Sequence, residues 1–179
     1  MIIETTEKFT PEEIDEVFNI MVKSYQLYKD PSKKLGDSIK ESIKNLIYGI
    51  VLLIIFLIFG FISKFNVITI IGMTLSVVLI LICVLWLAVL KKNYKDKKAL
   101  YEKGDHSKII FDEQTIAVEL ENGSIVKLKW TEIEFIRAFD HVVGVFSSDK
   151  TRALIIPLKY WDPIAQFMSE NYIIVKFFR

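Results

Sequence analysis

Apolar and polar positions divide this chain into three stretches with different periods. The opening "MIIET" is short and β-branched, which suits a strand. In "FTPEEIDEVFNIMVKSYQLYKD" the apolar residues Ile14, Val17, Phe18, Met21, Tyr25 and Tyr28 recur at helical spacing. Thr10, Pro11 and Glu13 provide an N-cap, a proline at N1 and the second half of a capping box, so a helix is expected to start there. Its apolar stripe needs a partner. The other side carries Glu12, Asp15 and Glu16, which anionic lipid repels, so packing on a sheet is expected in preference to an interfacial position. Asp30-Pro31 ends the helix, Gly36 loosens the link, and Asp37 or Ser38 can cap the next helix.

The middle of the chain is almost pure hydrocarbon. No charged side chain occurs between Lys44 and Lys64, nor between Lys64 and Lys91. At about 1.5 Å per residue, each gap is long enough to cross a hydrocarbon layer of about 30 Å as a helix. A buried core helix would keep a polar stripe, and these segments have none. Two spans are therefore expected, at about 45–63 and 67–90, joined by a tight turn at Phe65-Asn66 into an antiparallel hairpin. Gly72 and Ser76 form a small-xxx-small pair that lets helices approach. The apolar run begins too far from Met1, without a basic start, for a cleavable signal peptide. Beyond the second span, "LKKNYKDKKALYEKG" keeps strong helix formers up to Gly104, the natural C′ residue, so a stalk is expected to continue the second helix and couple span to domain.

From Lys108 the period becomes two. "KIIFD", "TIAVELE", "SIVKLKW", "EFIRAF", "HVVGVFS" and "RALIIPL" read as short strands, with hairpin turns at 121–124 and 147–150. "WDPIAQFMSEN" predicts a short helix with Asp162 as N-cap and Pro163 at N1, and Ile164, Phe167 and Met168 facing inward. "YIIVKFF" is assigned as a closing strand. The predicted fold class is thus an α+β membrane protein. It comprises an N-terminal strand and amphipathic helix (1–36), a transmembrane hairpin with stalks (37–104) and a C-terminal antiparallel-sheet domain (105–179).

Within the strand region, "VKLKWTEIEFIRAF" alternates, stops at Thr131-Glu132 and alternates again, as a strand does when a turn bends it. The run "IIFDEQTIAVELENGSIVKLKWTEIEFIRAF", ending in "ALIIPLKYW", resembles the YcxB-like membrane proteins of bacteria. Trp130, Glu132, Ile133, Ile156, Pro157 and Trp161 match that family's pattern of Trp-x-acidic-Ile followed by an exit strand reaching Ile-Pro and an aromatic. The resemblance covers nearly the whole chain and implies a two-span hairpin with a cytoplasmic domain similar to a pleckstrin-homology (PH-like) fold. The closing segment departs from the family pattern in its short helix and hydrophobic tail. Trp130 and Ile133 are expected to point into the core on either side of the bend, with Thr131 capping the turn.

Charge adds orientation. The net charge of +1 divides into −4 over residues 1–30, +7 over 31–104 and −2 over 105–179. Lys33, Lys34, Lys40 and Lys44 precede the first span, and Lys91, Lys92, Lys95, Lys97 and Lys98 follow the second, while the connecting turn has only Lys64. Both termini are therefore expected on the cytoplasmic side of the cell membrane. The lysine collar, with Tyr48 and Trp86 as interfacial rings, is expected to meet anionic lipid headgroups. A slightly acidic folded part argues against a nucleic-acid polymer as partner.

Candidate chemistry is sparse. His106 and His141 are far apart in sequence, Cys83 is the only cysteine and lies within a span, and Asp105, Asp112, Glu113, Glu119 and Glu121 fall at turns or alternate strand positions. Ser147-Ser148-Asp149-Lys150 reads as a turn. Asn66, Thr69, Thr74 and Ser76 are the main polar groups near the membrane, and no charge marks a transport path. No cofactor or enzymatic activity is expected. The pattern points to a membrane-anchored binding or scaffold module that presents its sheet domain to a protein partner or to itself. The alternative is a ligand-gated two-span effector, in which a small ligand such as a cyclic nucleotide stacks on Tyr160, Trp161 or Phe139 beside Arg137 and Arg152.

Overall fold

A computed structural model of the chain describes residues 1–5, 9–102, 107–119 and 124–179. The chain is α+β and divides into two compact units. One comprises Met1–Leu35 and Lys97–Arg179, and the other Gly36–Asp96. The expected Gly104 helix stop, His106, Asp105 and the tip of the hairpin turn at 121–123 lie outside the described residues.

In the unit Gly36–Asp96, α2 (Ser38–Ile62) starts where Asp37 Oδ1 accepts the N–H groups of Ile39 and Lys40, at 2.9 and 3.0 Å. It ends in a tight turn. Phe65 N–H donates to the Gly60 carbonyl at 2.7 Å, and Lys64 and Phe65 both take φ of 54°. Asn66 then caps α3 (Val67–Glu102), its side-chain oxygen accepting Thr69 N–H at 3.0 Å. The two helices run antiparallel, since Gly49 lies against Ile80 and Gly72 against Phe56. A Cβ at Gly72 would lie within 2.6 Å of three atoms of the Phe56 ring, so the small residue serves contact between this chain's own two helices. Ser76 is buried and its hydroxyl donates back to the Gly72 carbonyl. Only 11% of the most apolar stretch of α2 and 17% of that of α3 is buried within the chain, far less than a core helix requires.

The other unit contains two four-stranded sheets. The first has the order β1-β2-β3-β4, all antiparallel: β1 (Ile2–Thr5), β2 (Ser107–Phe111), β3 (Thr115–Glu119) and β4 (Ile125–Lys129). The second has the order β7-β6-β5-β8. Here β5 (Ile133–Ala138), β6 (Val142–Ser147) and β7 (Ala153–Pro157) are antiparallel, and the two-residue β8 (Phe177–Phe178) runs parallel to β5. Strand β6 is buried at all six positions, as its unbroken apolar sequence requires of a strand covered on both faces. One face contributes Val143 and Val145 to a core with Ile109, Phe111, Ile116, Leu128, Ile136 and Ile156 from both sheets. α4 (Trp161–Glu170) adds Trp161 and Ile164 to this core. The other face presents Val142 and Phe146, with Phe135 of β5, to Val17, Ile20 and Leu27 of α1 (Pro11–Lys29).

Three local expectations are corrected. The inward face of α1 is built on Ile14, Val17, Ile20 and Leu27, while Met21 and Tyr25 remain 44% and 66% exposed. The helix is rotated because its apolar side must cover the rings of Phe135 and Phe146, and Tyr28 packs edge-on to both. α4 starts one residue before Asp162. A 3₁₀ turn over Leu158–Tyr160 leads directly into it, and Trp161 N–H already donates to the Leu158 carbonyl. The closing strand pairs in parallel with β5, where Ile136 N–H donates to the Lys176 carbonyl at 2.8 Å.

Candidate binding groove

A groove of about 380 Å³ opens beside β7, within the strand-rich unit. All five residues of β7 line it, from Ala153 to Pro157. In a strand, neighbouring side chains point to opposite faces, so five consecutive lining residues mean that the groove faces the strand's edge. Among the described residues that edge has no strand partner, because β7 is the outermost strand of its sheet. One wall is formed by Val17, Ile20, Met21 and Ser24 of α1, and the opposite wall includes Ile109, Val118 and Val126 of the first sheet. Phe9, Tyr101, Thr5, Thr151 and Tyr160 complete the lining. Among the described residues no Lys, Arg, Asp or Glu lines it, and the volume falls in the range of about 300–1,000 Å³ typical of ligand pockets. The outward rotation of Met21 hangs a flexible thioether over the opening, the residue type that adapts best to varied apolar surfaces.

Both ends of the β6–β7 pair are anchored. At the β5–β6 turn, the Glu16 carboxylate of α1 accepts three backbone N–H groups, those of Asp140, His141 and Val142, at 2.9, 2.8 and 3.0 Å. At the β6–β7 turn, Asp149 Oδ1 lies 2.5 Å from the Ser147 hydroxyl and accepts Thr151 N–H at 3.0 Å. These bonds, led by that to Ser147, hold the Asp149 carboxyl far below the usual carboxylate range. Tyr28 reaches this end with its hydroxyl 3.4 Å from the Arg152 carbonyl, and burial pushes its phenol up.

The residues of the Trp-Thr-Glu-Ile stretch form a 3₁₀ turn, Trp130–Glu132, between β4 and β5. Trp130 is buried and its indole N–H donates to the Asp112 carbonyl at 2.8 Å. Ile133, Ile156 and Trp161 lie in the same core. The Glu132 carboxylate closes the turn by accepting Lys129 N–H and facing Arg152, both at 3.4 Å. Pro157 ends β7 and lines the groove.

The five residues read as candidate ligand contacts are gathered only in part: Phe139 and Trp161 line one cavity, while Tyr160, Arg137 and Arg152 are not among its lining residues. Arg137 and Phe139 are neighbours, with the guanidinium 4.7 Å from the ring centroid. Arg137 is buried and donates to the Pro31 and Lys33 carbonyls at 2.5 and 2.6 Å, tying down the segment after α1. Burial lowers its pKa. Arg152 lies toward the other end of β5, donating to the Lys127 carbonyl at 3.1 Å and paired with Glu132 and Asp149. Tyr160 lines the groove, and Trp161 is buried against Phe177.

Among the collar residues, Lys40 is highly exposed and pairs with Asp37 at 3.5 Å. Lys91, Lys92 and Lys95 are exposed, and Lys97 and Lys98 are partly so. Lys44 Nζ sits 5.7 Å from the centre of the Tyr48 ring. Tyr48 and Trp86 are both 53% exposed. The Gly49–Ile80 contact places Tyr48 near the level of Ile80, so along the hairpin it sits about 9 Å from Trp86.

The groove is barely legible in the sequence, because β7 otherwise reads like its neighbours. Pro157 was the one signal, since proline within a sheet favours edge positions. No protein-family model, curated protein or solved structure matches this chain.

Proposed function

We propose that the chain is a membrane-anchored, non-enzymatic binding module. In this reading α2 and α3 form a two-span hairpin in the cytoplasmic membrane of a bacterial cell, with both termini in the cytoplasm and the lysine collar against anionic lipid. The strand-rich unit is a PH-like domain of the YcxB-like type, in which α1, α2 and α3 are inserted between the first and second strands. The observation that carries the reading is the groove along the outer edge of β7, whose described lining residues carry no charge. The hairpin is supported by two long helices whose apolar side chains are mostly left exposed. The PH-like assignment is supported by the strand orders β1-β2-β3-β4 and β7-β6-β5, the bend at Trp130–Glu132 and the helix that follows β7. A ligand-gated effector would need Tyr160, Trp161 or Phe139 beside both Arg137 and Arg152, and the two arginines are engaged apart.

The test is site-specific photo-crosslinking in living cells of the source organism. A photoreactive residue at Met21, over the groove, is expected to give a discrete adduct that one at Tyr172, in the exposed tail, does not. Identical patterns at both positions, or no adduct at either, would refute the groove as a binding site.

A further inference from the structure

The hydrogen-bonding phase of β7 specifies what the groove can hold. Leu158 N–H donates to the His141 carbonyl at 2.8 Å, and Ser147 N–H donates to the Arg152 carbonyl at 3.0 Å. In an antiparallel pair, residues that exchange such bonds alternate with residues that do not. With Leu154 opposite Val145 and Ile156 opposite Val143, the ladder to β6 therefore runs through positions 152, 154, 156 and 158. The N–H groups of Ala153 and Ile155, and the carbonyls of Ala153, Ile155 and Pro157, point away from β6 toward the groove. Ala153 is exposed, Ile155 half-buried and Pro157 buried, so the groups of Ala153 and Ile155 are the ones within reach of a ligand.

We infer that the groove takes an extended, uncharged apolar peptide segment that adds to β7 as a further strand. The inference rests on the groove being the binding site. Two outward donors and three outward acceptors, spaced two residues apart, form the template that strand addition uses. A five-residue strand is about 17 Å long at about 3.3 Å per residue, which is the length of edge that lines the groove. Electrostatics fixes the composition. The described lining residues carry no charge, so a Lys, Arg, Asp or Glu pointing toward them would be desolvated without a counter-charge, which favours a neutral segment. Its side chains would alternate between the Met21 and Ile20 wall and the Val118 and Val126 wall. Pro157 offers no N–H, so pairing ends there and the register is fixed.

The test uses random dodecapeptides displayed on phage, selected against the full chain in lipid nanodiscs. Enriched peptides are expected to share an uncharged apolar core of about five residues with alternate positions distinct. Synthetic versions are then titrated against the native chain, Ile155→Pro and Met21→Lys. Ile155→Pro removes one outward donor without touching the ladder to β6, so the melting temperature should hold while affinity falls at least tenfold. The Ile155 amide of the native chain should become protected from hydrogen exchange when peptide binds. Should Ile155→Pro unfold the chain, N-methylation of alternate peptide nitrogens replaces it, and tolerance at every position would overturn strand addition. Equal binding by native chain and Ile155→Pro, with loss in Met21→Lys, would overturn strand addition yet leave the groove as the binding site. Enrichment of no peptide, or of charged peptides insensitive to both substitutions, also overturns it, and crosslinking at Met21 then judges the groove separately.

Discussion

Single carboxylates fix the ends of the sheet that carries the groove. Glu16 binds three backbone N–H groups more than 120 residues away, and nothing near it in sequence distinguishes it from the solvated acids Glu12 and Asp15. Its role depends on tertiary approach and was not legible. Asp149, by contrast, lies in a Ser-Ser-Asp-Lys run that reads directly as a turn, and the structure closes that turn through Ser147 and Thr151. Its carboxyl is held below the ordinary value of 3.8, so its bonds stabilise the fold above that pH. As pH falls below about 4, the unfolded chain takes up the proton before the folded chain does, and this contribution is lost. In urea melts of the detergent-solubilised chain, Asp149→Asn should show a shallower fall in stability below pH 4 than the native chain. Parallel curves would remove Asp149 from the account.

Local patterns set the elements, and long-range pairing set their partners. The capping box of α1 is present as the sequence requires, with Thr10 N–H donating to Glu13 Oε2 at 2.7 Å and Glu13 N–H to Thr10 Oγ1 at 3.2 Å. The six strands after residue 107 were legible because their period of two is strong and their turns are marked. Three features were not: β1 pairing with a strand about 100 residues later, the parallel addition of β8, and the rotation of α1 that exposes Met21. Each depends on contacts that no short window of sequence contains. Gly144 in β6 shows how tight the α1-facing layer is, since a Cβ there would lie 2.6 Å from the Phe146 ring. That ring cannot retreat, because it stacks on Phe135 at 4.6 Å and meets the edge of Tyr28 at 5.7 Å. Gly144→Ala should therefore destabilise the fold by about 1–3 kcal/mol, an overpacking cost. A melting temperature within a degree of the native chain's would show that this layer is looser than described.

At the scale of the whole molecule, the chain comprises an apolar helical hairpin and a strand-rich unit in which β7 is an outermost strand. The hairpin was the clearest feature of the sequence, because each stretch without a charged residue is long and apolar enough to cross a membrane as a helix. The groove was the least legible, because an edge is a property of sheet order and not of any one strand. Under the proposed membrane anchoring, the groove would meet a partner delivered in two dimensions, where tethering raises the effective concentration of both components. That arrangement requires the strand-rich unit to face the cytoplasm while the turn at Lys64 faces outward. Cys83 is the only cysteine, so a Cys83→Ser chain can carry single reporters at Lys64→Cys and at Ile174→Cys, whose native side chain is 95% exposed. On intact cells, or spheroplasts where an outer membrane intervenes, a membrane-impermeant maleimide should label the Lys64 reporter at once and the Ile174 reporter only after lysis. Labelling of the Ile174 reporter before lysis, or equal protection of both reporters, would contradict the account.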